Sequence, residues 1–122
     1  ALHLAAKGYV PGPPMQFNFV LGVPGCAAAT VENLVWMVNR IPAGSTWTAT
    51  GIGRSEFILA AHAIAMGGHV RVGFEDNLYL SRSVLAKSNG ELVNKVVQMA
   101  KLLNREIATP AEARAILGLN PL

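Results

Sequence analysis

Residues 45–76, STWTATGIGRSEFILAAHAIAMGGHVRVGFED, decide how the rest of the chain reads. "STWTATGIG" (Ser45 to Gly53) is rich in β-formers and ends in glycines. "SEFILAAHAIAMGG" then makes a helix stopped by Gly67 and Gly68, and "HVRVGFED" (His69 to Asp76) is a strand again. Strands that alternate with helices pair in parallel through right-handed crossovers.

The same grammar extends in both directions. "QFNFVLGV" (Gln16 to Val23) reads as a strand running into the Gly/Pro cluster "GVPG". Thr30 caps a helix whose apolar positions Val31, Leu34, Val35 and Val38 follow the i, i+3, i+4, i+7 pattern, ending before Pro42. After a loop, Gly90 to Ile107 carries Leu92, Val93, Val96, Val97, Ala100 and Leu103 on one helical face. "TPAE" (Thr109 to Glu112) is a capping box with proline in the first helical position, so a last short helix runs to Gly118.

The order is β-α-β-α-β-α-α, and strand spacings of about 25 to 30 residues suit repeated βα units of the barrel kind. Three parallel strands leave two open edges and faces that parallel sheets normally bury on both sides. The opening "ALHLAAKGYV" has the look of a helix tail with no cap before it. The expectation is therefore an α/β fold with parallel strands, made of C-terminal βα units of a (β/α)8 TIM barrel. Residues 1–122 would be the C-terminal segment of one barrel domain, incomplete alone and supplying roughly three of its eight units.

Composition points the same way. The 122 residues are 52% hydrophobic and 14% charged, so little of the surface is made for water and something else should cover it. No run approaches the ~18 apolar residues of a membrane span, and the start lacks the basic and apolar regions of a secretory signal. The single cysteine, Cys26, forms no internal disulfide, which fits a reducing, cytoplasmic location. A net charge of +3, scattered and without an aromatic-basic stripe, argues against nucleic acid as a partner.

In (β/α) barrels the loops after the strands converge on the active site, and Glu75 and Asp76 sit at such a strand end. Adjacent strand residues point to opposite faces, so one carboxylate can ligate while the other acts as a base. Arg71, four residues before Glu75, lies about 13 Å from it if the strand is fully extended, within reach of a long side chain that orients a carboxylate or binds an anionic substrate. The competing reading is structural, a buried ion pair or a solvated strand end.

The block "GGHVRVGFEDNLYLSRSVLAKSNGELV" (Gly67 to Val93) resembles the β-keto acid cleavage enzymes, and the resemblance continues upstream through "QFNFVLGVPG" and "WTATGIGR". It implies a (β/α)8 barrel with a divalent metal, usually zinc. It also implies transfer of the acetyl part of a β-keto acid to an acyl-CoA cosubstrate through retro-Claisen and Claisen steps, giving acetoacetate and a new CoA thioester when acetyl-CoA is used. By this similarity Glu75 matches the carboxylate metal ligand, Asp76 the acid/base residue and Arg71 its partner arginine. The family's two histidine ligands belong to earlier strands, so the remainder of the barrel is an implied partner, and homo-oligomers are common in the family.

One carboxylate cannot hold a catalytic zinc, so this segment alone is expected to be inactive. The chemistry accounts for the residue types: a metal polarises a keto oxygen, a carboxylate removes and returns a proton, and an arginine keeps that carboxylate charged and aimed. Two alternatives stand beside it. One is a different metal-assisted barrel aldolase or lyase with Glu75 still at the metal; the other is a non-catalytic binding or assembly piece in which the acids make only structural pairs.

The remaining candidates read as structural. His69 begins its strand, at the end opposite Glu75, and His62 lies on an apolar helix, so neither belongs to a convergent ligand set. His3 is uninformative, and Cys26 has no paired histidine. "GIGR" (Gly51 to Arg54) has Glu56 where a dinucleotide fingerprint needs its third glycine; a tight turn before a helix outweighs a site for a CoA phosphate. Met66, Trp36 and Trp47 are assigned to the core, and Asn77 to capping or support of the Glu75 loop.

Overall fold

A computed structural model describes residues 1–12 and 14–120. Strands β1 (Gln16–Leu21), β2 (Thr46–Gly51) and β3 (His69–Val70) form a parallel sheet in the order β1-β2-β3. Helix α1 (Leu2–Ala6) precedes it; α2 (Val31–Val38) and α3 (Glu56–Ala65) connect the strands. A hairpin of β4 (Tyr79–Ser81) and β5 (Val84–Leu85), then α4 (Asn89–Leu102) and α5 (Pro110–Ile116), complete the order. The α/β class and the parallel pairing thus match the sequence reading. No helix among the described residues is long and apolar enough to cross a membrane.

Local signals act where the sequence places them. The Thr30 hydroxyl accepts from Asn33 N–H at the start of α2, and Ser88 does the same for Glu91 N–H at α4. Thr109 and Glu112 form the reciprocal capping box of α5. At the other end of α3, Arg105 replaces water as the partner of free carbonyls, donating from Nη1 to Ile64 O at 2.8 Å and from Nη2 to Gly67 O at 3.0 Å.

The sheet has two unlike faces. Phe17, Phe19 and Leu21 of β1 and Trp47 and Ala49 of β2 point toward the helices and pack with Leu34 of α2 and Leu59 and Ala63 of α3. Leu21, Leu34 and Leu59 are wholly buried, each worth roughly 1.5–3 kcal/mol against exposure, so this side carries the apolar core. The other face is mostly polar: Gln16 and Asn18, with Val20, lie on it beside Thr46, Thr48 and Thr50, and the Thr50 hydroxyl donates to Asn18 Oδ1 at 3.0 Å. His69 registers with Thr48 and joins that face.

Several boundaries differ from expectation. The first strand ends at Leu21, two residues early, because Gly22 takes φ +98 and turns the chain. The third was expected to reach Asp76, but its ladder stops at Val70; Arg71 N–H still donates to Ala49 O, after which the chain leaves the sheet for a turn. Helix α4 closes five residues before the expected Ile107, and Asn104 at φ +53 redirects the chain so that Arg105 can reach α3. Residues 79–85, read as loop, pair as a hairpin whose two-residue connection holds Ser83 at φ 63. Trp47 fills the core as expected, whereas Trp36 is 55% exposed with the Arg40 guanidinium 3.7 Å above its ring, and Met66 lies at the exposed end of α3.

The two glycines of "GIG" serve different ends: Gly53 takes φ +58 with open space around it, and Gly51 serves packing. A Cβ on Gly51 would stand 2.7 Å from Ser55 O and 2.9 Å from Glu56 Cα, so only glycine lets the start of α3 lie against the end of β2. Gly51→Ala is expected to lower stability by about 1–3 kcal/mol in urea unfolding. Gly90→Ala, whose added carbon meets nothing closer than Ser88 Oγ at 3.5 Å inside α4, is expected to be neutral or to stabilise by up to about 1 kcal/mol.

Candidate active site

The turn that follows β3 gathers the charged residues. Asp76 N–H and Asn77 N–H both donate to Gly73 O, at 2.9 and 3.0 Å, folding residues 73–77 back toward the strand. Arg71 and Glu75 therefore do not stand 13 Å apart along an extended chain. Arg71 Nη2 donates to Glu75 Oε2 at 3.0 Å and to Asp76 Oδ1 at 2.7 Å, while its Nε donates to Asp76 Oδ2 at 3.2 Å. The fork matches both oxygens of one carboxylate, the geometry that arginine makes best.

The neighbouring acids occupy opposite environments. The Asp76 side chain is 3% exposed and that of Glu75 is 82% exposed, with Arg71 between them at 43%. Burying a carboxylate is costly unless it is paired, and the Arg71 fork supplies that pairing. Glu75 is held through Oε2 only, and among the described residues Oε1 has no hydrogen-bond partner. The guanidinium of Arg71 is raised in pKa, chiefly by its hydrogen bond to Asp76.

A third carboxylate, Glu56, organises this turn from beneath. It lies in the first turn of α3, is 1% exposed, and accepts from Gly73 N–H at 3.3 Å through Oε2 and from Asn77 Nδ2 at 3.0 Å through Oε1. Asn77 also donates to Tyr79 O and accepts from Tyr79 N–H, linking the turn to the hairpin. Asn89 Oδ1 accepts from Phe74 N–H at 2.8 Å, and Gly53 N–H donates to Asp76 O at 2.7 Å. Backbone groups that leave the ladder at Val70 are thus met by side chains from α3 and α4, which satisfies them without a neighbouring strand.

The sequence reading passed over Glu56 and Asn89 and assigned Asn77 only a general supporting part. The signal for Glu56 is legible in hindsight. It falls at i relative to Leu59, Ala60 and Ala63, all buried, so a carboxylate stands on the core face of an apolar helix. Of the other candidates, His62 rests on its own helix with Nδ1 2.8 Å from Ile58 O. Cys26 is exposed, and His69 lines a groove with Lys101, Arg105 and Glu106 at the start of β3.

Among the described residues no group of three His, Cys, Asp or Glu side chains could hold a metal ion. Of the three carboxylates around the turn, Asp76 is bonded through both oxygens to Arg71 and Glu56 through both to Gly73 and Asn77, so only Glu75 has an oxygen without a hydrogen-bond partner among the described residues. Catalytic zinc takes three protein ligands, and these residues fit one position of such a set, not the set.

Burial raises the Glu56 carboxyl above its ordinary value, with nearby Asp76 adding to the effect, while the Asn77 and Gly73 bonds and Lys95 oppose it. A raised carboxyl favours the fold in its protonated form. Its contribution is complete below the unfolded-state value and is lost as pH rises through the folded-state value. In urea titrations from about pH 4 to pH 8, the stability of the parent relative to Glu56→Gln is expected to fall with rising pH. A parallel pair of curves would show that the buried carboxyl is not titrating there.

Residues 1–119 match the family model described as beta-keto acid cleavage enzyme. Over 119 residues the chain is 58% identical to the 3-keto-5-aminohexanoate cleavage enzyme of Fusobacterium nucleatum, covering 98% of this chain and 43% of that protein. It is 54% identical over 120 residues to the enzyme of the same name from Acetoanaerobium sticklandii, covering 98% and 44%. A 3-oxoadipate:acetyl-CoA acetyltransferase of Cupriavidus necator is 36% identical over 122 residues, covering 98% and 43%. The chain thus spans less than half the length of these curated relatives, and it belongs to the β-keto acid cleavage enzyme family.

Proposed function

We propose that this chain supplies C-terminal βα units of a (β/α)8 barrel whose complete form cleaves a β-keto acid with acetyl-CoA, releasing acetoacetate and a new CoA thioester. The observation that carries the reading is the arrangement after β3. A buried Asp76 is held in a bidentate Arg71 fork while the adjacent Glu75 extends a free carboxylate oxygen. The polar sheet face of Asn18, Thr46, Thr48 and Thr50 supports the barrel, because parallel sheets are normally covered on both sides and the helices here cover one.

In this reading Asp76 is the acid/base group. Arg71 occupies one lone pair on each of its oxygens, leaving others to take a proton from substrate and to return it. Arg71 is the positioning partner, and its fork fixes the carboxylate plane that a single-point ammonium would leave free to turn. Glu75 would contribute one ligand to a divalent ion, zinc by the family resemblance, with imidazoles from outside this chain. Such an ion supplies Lewis acidity at a keto oxygen. The exposed apolar residues Tyr79, Val84 and Leu85 of the hairpin suit contact with further barrel units or a second subunit of a homo-oligomer.

The test uses the complete protein. Asp76→Asn is expected to retain bound metal and lose about 10²–10⁴-fold in kcat, the range of a general acid-base group. Glu75→Gln is expected to lose metal, read by elemental analysis after dialysis. Equal metal retention by the two variants would contradict the assigned roles, and turnover of a β-keto acid without acetyl-CoA would contradict the reaction.

A further inference from the structure

We propose that the cavity beside the Asp76 turn seats the phosphate-bearing end of the acyl-CoA; this rests on the acetyl-CoA-dependent reaction proposed above. The cavity, an open cleft of about 960 Å3, is bordered by the turn Gly53–Ser55, the first turn of α3, the β4–β5 hairpin and α4. Its volume is in the upper range of small-molecule sites.

Charge is the first argument. Arg54, Arg82 and Lys95 line the cavity and no carboxylate does. In a chain with only 14% charged residues, three cations at one opening form a local excess. None of them is in an ion pair among the described residues, where the pairs formed are those of Arg71. Unneutralised cations around a concave surface attract a polyanion, and arginine forks grip phosphate oxygens in pairs. The pyrophosphate and ribose phosphate of a CoA thioester carry that charge.

Location is the second argument. Gly53 lines the cavity while its N–H holds the carbonyl of Asp76, and Asn77, the next residue of the turn, lines the cavity as well. The wall that would hold the phosphates is therefore continuous with the backbone that carries the acid/base residue. An extended thioester arm anchored there has its reactive end directed along that wall.

Rigidity is the third. Lys95 Nζ donates to Leu80 O and lies 3.9 Å over the Phe57 ring, which fastens α4 to the hairpin and to α3 and holds the cavity open. Arg54 and Arg82 are exposed at its rim, free to fold over a bound anion.

The experiment is steady-state kinetics of the complete enzyme with acetyl-CoA and with its 3′-dephospho analogue, for the parent and the Arg54→Ala/Arg82→Ala double variant. The expected result is a KM for acetyl-CoA raised about tenfold or more, with kcat and the KM for the β-keto acid held within about twofold. The parent is expected to discriminate against the dephospho analogue and the double variant to lose that discrimination. An active double variant with an unchanged KM for acetyl-CoA would overturn the assignment, as would equal rises in both KM values. A parent that turns over β-keto acid without acetyl-CoA would instead remove the reaction on which the assignment rests.

Discussion

Two hydrogen bonds accepted by a buried carboxylate hold together the turn on which the Arg71, Glu75 and Asp76 cluster depends. Glu56 reaches from the first turn of α3 to Gly73 N–H and Asn77 Nδ2, bridging 17 and 21 residues of sequence. Without them the segment after Val70 would leave the sheet with unpaired amides in a poorly solvated pocket, a cost of about 1–3 kcal/mol for each group. The bonds replace a strand ladder by a turn, and that turn brings Asp76 under Arg71 while sending Glu75 outward. The close approach of α3 to β2 at Gly51 is the steric condition for this reach.

The site is thereby built from unlike solvation. Two adjacent carboxylates differ in what surrounds them: Asp76 is buried in the Arg71 fork, while Glu75, bonded to the same guanidinium through Oε2, is otherwise open to solvent. Separating the environments of adjacent acids is a general way to obtain an acid/base group and an anionic ligand from the same residue class.

Much of the scaffold is written in short-range signals. Thr30, the Thr109–Glu112 box, Gly67 and Gly68 each govern a helix end through groups within a few residues, so alternation of strand and helix is legible without the fold. The failures involve long-range partners. The early end of β3 depends on Glu56, and the end of α4 accompanies a bond from Arg105 to carbonyls 38 and 41 residues away. Trp36 was misplaced because an aromatic on an apolar helix face reads as core, although here its ring stacks under Arg40. The identities of Arg71, Glu75 and Asp76 as a cluster were visible from spacing and resemblance, but the turn that joins them was not.

Helix α3 is held at both of its ends by side-chain chemistry, Glu56 at the first turn and Arg105 at the last. A ten-residue helix is about 15 Å long and resists axial compression, so it behaves as a strut between opposite ends of the sheet. Displacement of the polypeptide around residue 105 would be delivered to the base of the Asp76 turn with little loss. The segment joining α4 to α5 thus bears mechanically on a turn it never contacts, through the length of one helix.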